Sequence, residues 1–381
     1  MGTAQVTFTA EELLASHDYA EPLFANGIAC HGGFDEDGTY VSPRTRFRGP
    51  AIEAWEAKRV EDFGTDPLHI PIDAWPRSFP NVEQTKFLVR HGITEPTIAA
   101  LTRIGTVEGF GAMMRFLPLP DFQTLFVESI EGTATEHIPK GLFEAHARDE
   151  AGWEAEAGHN TMWFAARDIA FENPVTEDMT QQMLTRMGII PPSGGAPDMN
   201  KIRQMMEANR VLPSDIPLEF EGVLGRMIGL LFIELSAFHG FTWAEGVLSD
   251  TDLFAGEGEA ARIVSYIRAD ETPHVGYLGV ALSEMRDRTW KGTTGATYDG
   301  DEMIQLLWDR ALADSMFLRR GEILRMTMNE IERAIGDRPD RDDLLEEFFT
   351  LGTVRRLDDG TLVEVQADGR EVRVALDGTL V

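Results

Sequence analysis

Apolar residues recur every three to four positions through most of residues 93–351, a spacing that places them on one face of a helix. The pattern predicts helices over 97–116, 121–138, 142–171, 177–187, 200–211, 218–248, 258–290, 301–336 and 342–351. The breaks fall where proline and glycine interrupt it: at Pro118 and Pro120, at Pro139 to Gly141, in PPSGGAP from Pro191 and in KGTTGATYDG from Lys291. Residues 1–92 have another texture, rich in Gly, Pro and Asp, with short helical patches at 10–17 and 51–63, and predict a loop-rich cap. Residues 352–381 switch to two-residue alternation in TVRRL, TLVEVQ, EVRVAL and TLV, separated by DDG, ADG and DG turns, which predicts a small β-meander. The expected molecule is mainly α, in three parts: cap 1–92, helical bundle 93–351 and meander 352–381.

Composition narrows the chemistry. A chain of 381 residues, 43% of them hydrophobic, can bury a large core without covalent staples. Its one cysteine, Cys30, excludes an internal disulfide or a thiolate metal cluster and fits a reducing, cytoplasmic setting. The first residues carry no basic stretch leading into an apolar run, so no secretory signal is expected. Acids outnumber bases 64 to 34, and a formal charge of −30 opposes nucleic acid and anionic lipid as partners. Most of that acidity is expected to be solvated surface. The apolar run 227–241 contains Glu234 and His239 and is too short for a comfortable membrane span, so a buried helix is expected.

Candidate chemistry lies in the helical region. An acid three residues before a histidine shares its helical face, so both can reach one metal ion. Chance yields about 1.5 such pairs from 64 acids and 9 histidines in 381 residues. Three occur: Asp66/His69, Glu156/His159 and Glu271/His274. The first lies between prolines in DPLHIP and is expected to hold no metal. Each of the others has a glutamate upstream, Glu128 and Glu234, at a distance that an antiparallel hairpin would bring to similar depth. Glu234 is set among Leu230, Leu231, Ala237 and Phe238, where a bare carboxylate would be costly to bury. Glu131, one turn from Glu128, is the alternative to it. His146 and His239 fall off the expected ligand faces and are expected to pack or to support the ligands from behind.

One Glu on each of two helices and Glu-x-x-His on each of two others resembles the ligand set of the ferritin-like di-iron and di-manganese carboxylate proteins. Here the matching residues are Glu128 with Glu156 and His159, and Glu234 with Glu271 and His274. Asp270 before Glu271 gives Asp-Glu-x-x-His, similar to ribonucleotide reductase small subunits, acyl carrier protein desaturases and bacterial multicomponent monooxygenases. Two features depart from that pattern. Pro273 falls inside the second motif, and Trp163 stands where the resemblance to the reductases implies a radical tyrosine.

The resemblance implies a ferritin-like four-helix bundle holding two iron ions, with manganese as a substitute. It implies an oxygenase or oxidase that activates dioxygen against a small organic substrate, fed by a ferredoxin or reductase, and is compatible with a homodimer. Two alternatives remain open: iron storage or other non-catalytic metal binding, and metal-dependent hydrolysis.

Overall fold

In a computed structural model, the structure describes residues 5–68, 72–171, 175–189 and 199–375. His69 lies outside them. Among the described residues the chain is mainly helical, with three small antiparallel sheets.

The first part contains α1 (Ala10–Leu14), the sheet β1 (Glu21–Ala25), β2 (Ile28–Phe34) and β3 (Tyr40–Val41), and α2 (Thr45–Phe63). Thr9 caps α1 in a reciprocal pair with Glu12, which explains a helix of only five residues. Next come α3 (Val82–Arg90) and α4 (Glu95–Glu108), followed by tight turns at Gly111–Phe116 and Phe122–Leu125. Then α5 (Ala134–His137), a wide turn at Ile138–Leu142, α6 (Phe143–Ala151), α7 (His159–Ala170), α8 (Glu177–Arg186) and α9 (Met199–Ala208) precede α10 (Leu218–Leu248). The chain continues through α11 (Glu259–Asp270), α12 (Thr272–Arg286), the hairpin β4 (Thr289–Lys291) and β5 (Thr297–Asp299), and α13 (Gly300–Ala313). A wide turn leads into α14 (Arg320–Ile335), then α15 (Arg341–Thr350) and the sheet β6 (Arg355–Arg356), β7 (Leu362–Val365) and β8 (Glu371–Val374).

Helix α10 organises the core. Its 31 residues span about 46 Å, and it packs on α11, α12 and α13. It is long and apolar enough to cross a membrane by length and composition, yet half of its most apolar stretch is buried inside the protein. One apolar cluster joins α10 to α12, α13, α2 and α5, including Leu231, Phe232, Leu278 and Trp290. A second joins α10 to α4, α7 and α11, including Leu101, Trp163, Phe241 and Ile267. A third packs α3, α14 and α15 on the last sheet through Phe87, Ile331, Phe348 and Leu362.

Several predicted helices differ from the observed ones: 97–116 ends as a helix at Glu108, 301–336 divides at the wide turn 314–319, and three others differ for a local reason. Residues 121–138 hold only a tight turn and α5, because Gly132 takes φ +68° and Thr133 caps a new helix at Ala134. Residues 142–171 divide into α6 and α7 around the loop 152–158. There Gly152 takes φ +82°, and a Cβ on Gly152 or Gly158 would collide with the backbone of the other. Trp153 and Glu156 close this loop by exchanging backbone hydrogen bonds at 3.0 Å. Residues 258–290 divide at Glu271, because Pro273 has no N–H to continue the ladder and starts a new helix in its first turn.

Candidate metal centre

The last residue of α4, Glu108, points toward α6, which supplies His146, Asp149 and Glu150. Gly111 lets the Glu150 side chain pass, since a Cβ there would strike it. Helix α7 opens with His159, α10 contributes Glu234 from its middle, and the α11–α12 junction carries Asp270, Glu271 and His274. Two groups of potential ligand atoms, each within 4.8 Å of one another, share Glu150: His146, Glu150, Glu234 and His274, and Glu108, Glu150, His159 and Glu271.

Glu271 sits between the two groups. Its Oε1 lies 3.0 Å from Nδ1 of His159 and its Oε2 lies 2.7 Å from Nδ1 of His274. Glu150 Oε1 lies 3.3 Å from each of the same two nitrogens. Two carboxylates therefore lie between two imidazoles. Glu108 completes the His159 side, while Glu234 completes the His274 side with His146, whose Nε2 is 3.5 Å from Glu234.

Each Nδ1-presenting histidine turns its other nitrogen to a buried aspartate. His274 Nε2 is 3.0 Å from Asp149, which Arg44 and Arg48 clamp at 2.6 and 2.7 Å. Arg44 reaches it from a left-handed backbone conformation, φ +54°, that non-glycine residues seldom adopt. His159 Nε2 is 3.4 Å from Asp270, which also accepts the Tyr40 hydroxyl and lies 3.4 Å from His31. Such partners fix ring orientation and tautomer in histidine ligands. Tyr277, fully buried, places its hydroxyl 3.3 Å from His146 Nδ1.

The electrostatics fit the same division. Burial opposes charge on His159, but Glu271 and Glu150 outweigh it and hold its pKa well above the ordinary value. His274 is likewise raised against burial, chiefly by Glu271. Burial and then His274 hold His146 down at about 3, so it stays neutral. Burial, then repulsion from Glu150 and Glu271, raises Glu108, and burial with Glu271 raises Glu234. Burial and Glu271 push Glu150 up, yet His159 and His274 bring it to about 2. Metal-free, two imidazoliums thus offset two carboxylates while two more carboxyls hold protons.

The donor set fits two divalent ions. His146 Nε2, His159 Nδ1, Glu150 Oε1 and Glu271 Oε1 are buried and converge on one region, facing one another at 3.0 to 3.8 Å without hydrogen-bond geometry. Buried polar atoms seldom stay unpaired, and a cation between them removes the penalty. Four glutamates, once ionised, match two divalent charges, and mixed carboxylate and imidazole donors suit iron or manganese.

Glu234, His159, Glu271 and His274 are brought together as expected. Glu128 and Glu156 are not. The Glu128 carboxylate accepts the N–H and hydroxyl of Thr289, both at 2.9 Å, in the non-helical stretch before Gly132, and the alternative Glu131 is exposed there. Glu156 is exposed on the loop 152–158, so it shares no helix with His159. Glu108 and Glu150 take those places. His146, expected to stand apart, belongs to the cluster, whereas His239 bonds the Ile72 carbonyl. The missed signal was His146-x-x-x-Glu150, whose i, i+4 spacing shares a face as well as Glu-x-x-His does. Glu108 carried no comparable sequence signal. Asp270 lies behind His159, 3.4 Å from its Nε2.

A cavity of about 790 Å³ opens onto Glu108, Glu150 and Glu234. No protein-family model, curated protein or solved structure matches the chain.

Proposed function

We propose that the chain is a ferritin-like di-iron oxygenase or oxidase, in which α4, α6 with α7, α10, and α11 with α12 act as the four arms of the bundle. The observation that carries this reading is Glu271, whose two oxygens face Nδ1 of two different histidines. Glu108 and His159 would hold one ion, Glu234, His274 and His146 the other, with Glu150 and Glu271 shared. Bound iron, or manganese in its place, would supply the electrons and open coordination positions that activate dioxygen. Asp149 and Asp270 orient the imidazoles, and the two arginines on Asp149 keep that carboxylate ionised. The carboxyls of Glu108 and Glu234 would give up their protons to become ligands to a bound metal. The cavity beside these glutamates favours an organic substrate over iron storage, since a pure store needs no enclosed space of that size. Electrons for repeated turnover would come from a separate ferredoxin or reductase.

Anaerobic loading with Fe(II), followed by metal analysis and an oxygen electrode, tests the reading. About two ions per chain and prompt oxygen uptake that stops at that stoichiometry are expected. Uptake that scales with iron added beyond two per chain would favour storage, and two bound ions without uptake would favour hydrolysis.

A further inference from the structure

The cavity has two chemically distinct ends. Glu108, Glu150 and Glu234 line the end at the metal centre, whereas Arg77, Arg103, Arg226, Arg319 and Arg320 line the other parts of its wall. Such a collection is unexpected in a chain with 64 acids and 34 bases. Arg320 is paired with Glu364. The guanidinium groups of Arg103, Arg226 and Arg319 have no carboxylate or hydrogen-bond partner in the structure among the described residues. Burial, then the neighbouring Arg320, lowers Arg103 to about 10, and Arg226 is lowered by burial and Arg319. Cations that crowd one another on one cavity wall, with no carboxylate among them, make that wall attractive to an anion.

Distances along the helices set the shape of a ligand. Arg103 precedes Glu108 by five residues on α4, about 8 Å along the axis, and Arg226 precedes Glu234 by eight on α10, about 12 Å. Between these levels the walls are apolar, with Ile104 and Val107 on α4 and Leu230 and Ile233 on α10. Gly225, Gly229 and Gly240 of α10 also line the space, and a Cβ on any of them would meet no atom within 4 Å. Glycine weakens a helix relative to alanine. Three on one wall of a cavity keep a passage open.

Building on the di-metal reading above, we propose that this cavity takes an elongated organic oxyanion, a carboxylate or phosphate monoester on an apolar chain. Its head is held among Arg103, Arg226 and Arg319, and its tail runs past Gly229 toward the metal centre. Guanidinium groups suit both heads because their planar N–H forks match two oxygens at once. The apolar walls exclude water from the end at which oxidation would occur.

Calorimetric titration of the full chain, both metal-free and loaded with Fe(II) under argon, with decanoate, decyl phosphate and 1-decanol tests the proposal. At least one anion should bind 10-fold or more tightly than the alcohol, and the better of the two identifies the head group. Arg226→Ala and Arg319→Ala should each weaken the anion roughly 10- to 100-fold, the worth of a charged hydrogen bond, and leave 1-decanol unaffected. Gly229→Leu should abolish binding of all three while the circular dichroism spectrum is retained. Equal binding of anion and alcohol, or anion binding indifferent to both arginine substitutions, would overturn the proposal. Metal content is scored separately, so anion binding without metal would refute the di-metal reading alone, and two bound ions without anion selectivity would refute this one alone.

Discussion

On α11 and α12, Glu271 and His274 stand three residues apart, with a proline between them that turns the chain at the carboxylate. On the opposite side Glu150 ends one helix, His159 begins another, and the seven-residue loop 152–158 lies between. Both imidazoles nevertheless present Nδ1 to the same two carboxylates and Nε2 to a buried aspartate. The first half is held by local chain geometry. The second depends on the loop, which is pinned to β2 by backbone bonds from His31 to Ala157 and from Ala157 to Ala29, at 3.0 and 2.9 Å. A metal centre constrains where donor atoms arrive, and the route of the chain to them is free.

Glu271→Ala removes the residue common to both halves and should have the largest effect. Metal analysis should find both ions lost, and denaturation of the metal-free protein should show a loss of about 3–5 kcal/mol, because two buried imidazoliums lose their chief partner. Retention of two ions would show that the halves are independent of each other.

Metal affinity should rise with pH. In the metal-free protein His159 and His274 are held protonated above their ordinary range, and Glu108 and Glu234 keep protons by burial, so loading must expel them. Each released proton steepens the affinity by about tenfold per pH unit, measurable by calorimetry in two buffers of different ionisation enthalpy. Absence of proton release would mean that the ligands are already stripped of protons before metal arrives.

Gly158→Ala separates the halves. It should cost about 1–3 kcal/mol by overpacking against Gly152 and bring the metal content close to one ion per chain, that of the His274 side. Two ions, with the stability loss present, would show that the loop does not position His159.

Asp149→Asn and Asp270→Asn probe the supports behind each histidine. Each should lower the affinity of its own ion about 10- to 100-fold, the usual range for such partners, and a competition titration with a chelator should assign one variant to each ion. The smallest effect belongs to Glu156→Ala, which should leave metal content and thermal stability unchanged because the side chain is exposed beyond the site. Any metal loss there would return Glu156 to the ligand set.

Hydrophobic periodicity alone marked the helical region and placed the 31-residue helix α10. Residues 218–248 were legible as a helix to the residue because no proline interrupts a nearly all-apolar run, and the C-terminal alternation matched β7 and β8. It also pointed to Glu234, Glu271 and His274, which the structure brings together, since a carboxylate in an apolar helix needs a partner and the i, i+3 spacing supplies a local one. What only the tertiary structure decided is the other half. Glu108 reaches the centre because the end of α4 is packed there, Glu150 because Gly111 leaves it room, and His31 because β2 docks on the 152–158 loop. Helical periodicity reports neighbours within one element, so it describes well a half-site built on a nearly continuous chain. Donors delivered from separate elements meet only through packing, and Glu128 and Glu156, correctly spaced along the sequence, were carried elsewhere by a capped turn and a pair of glycines.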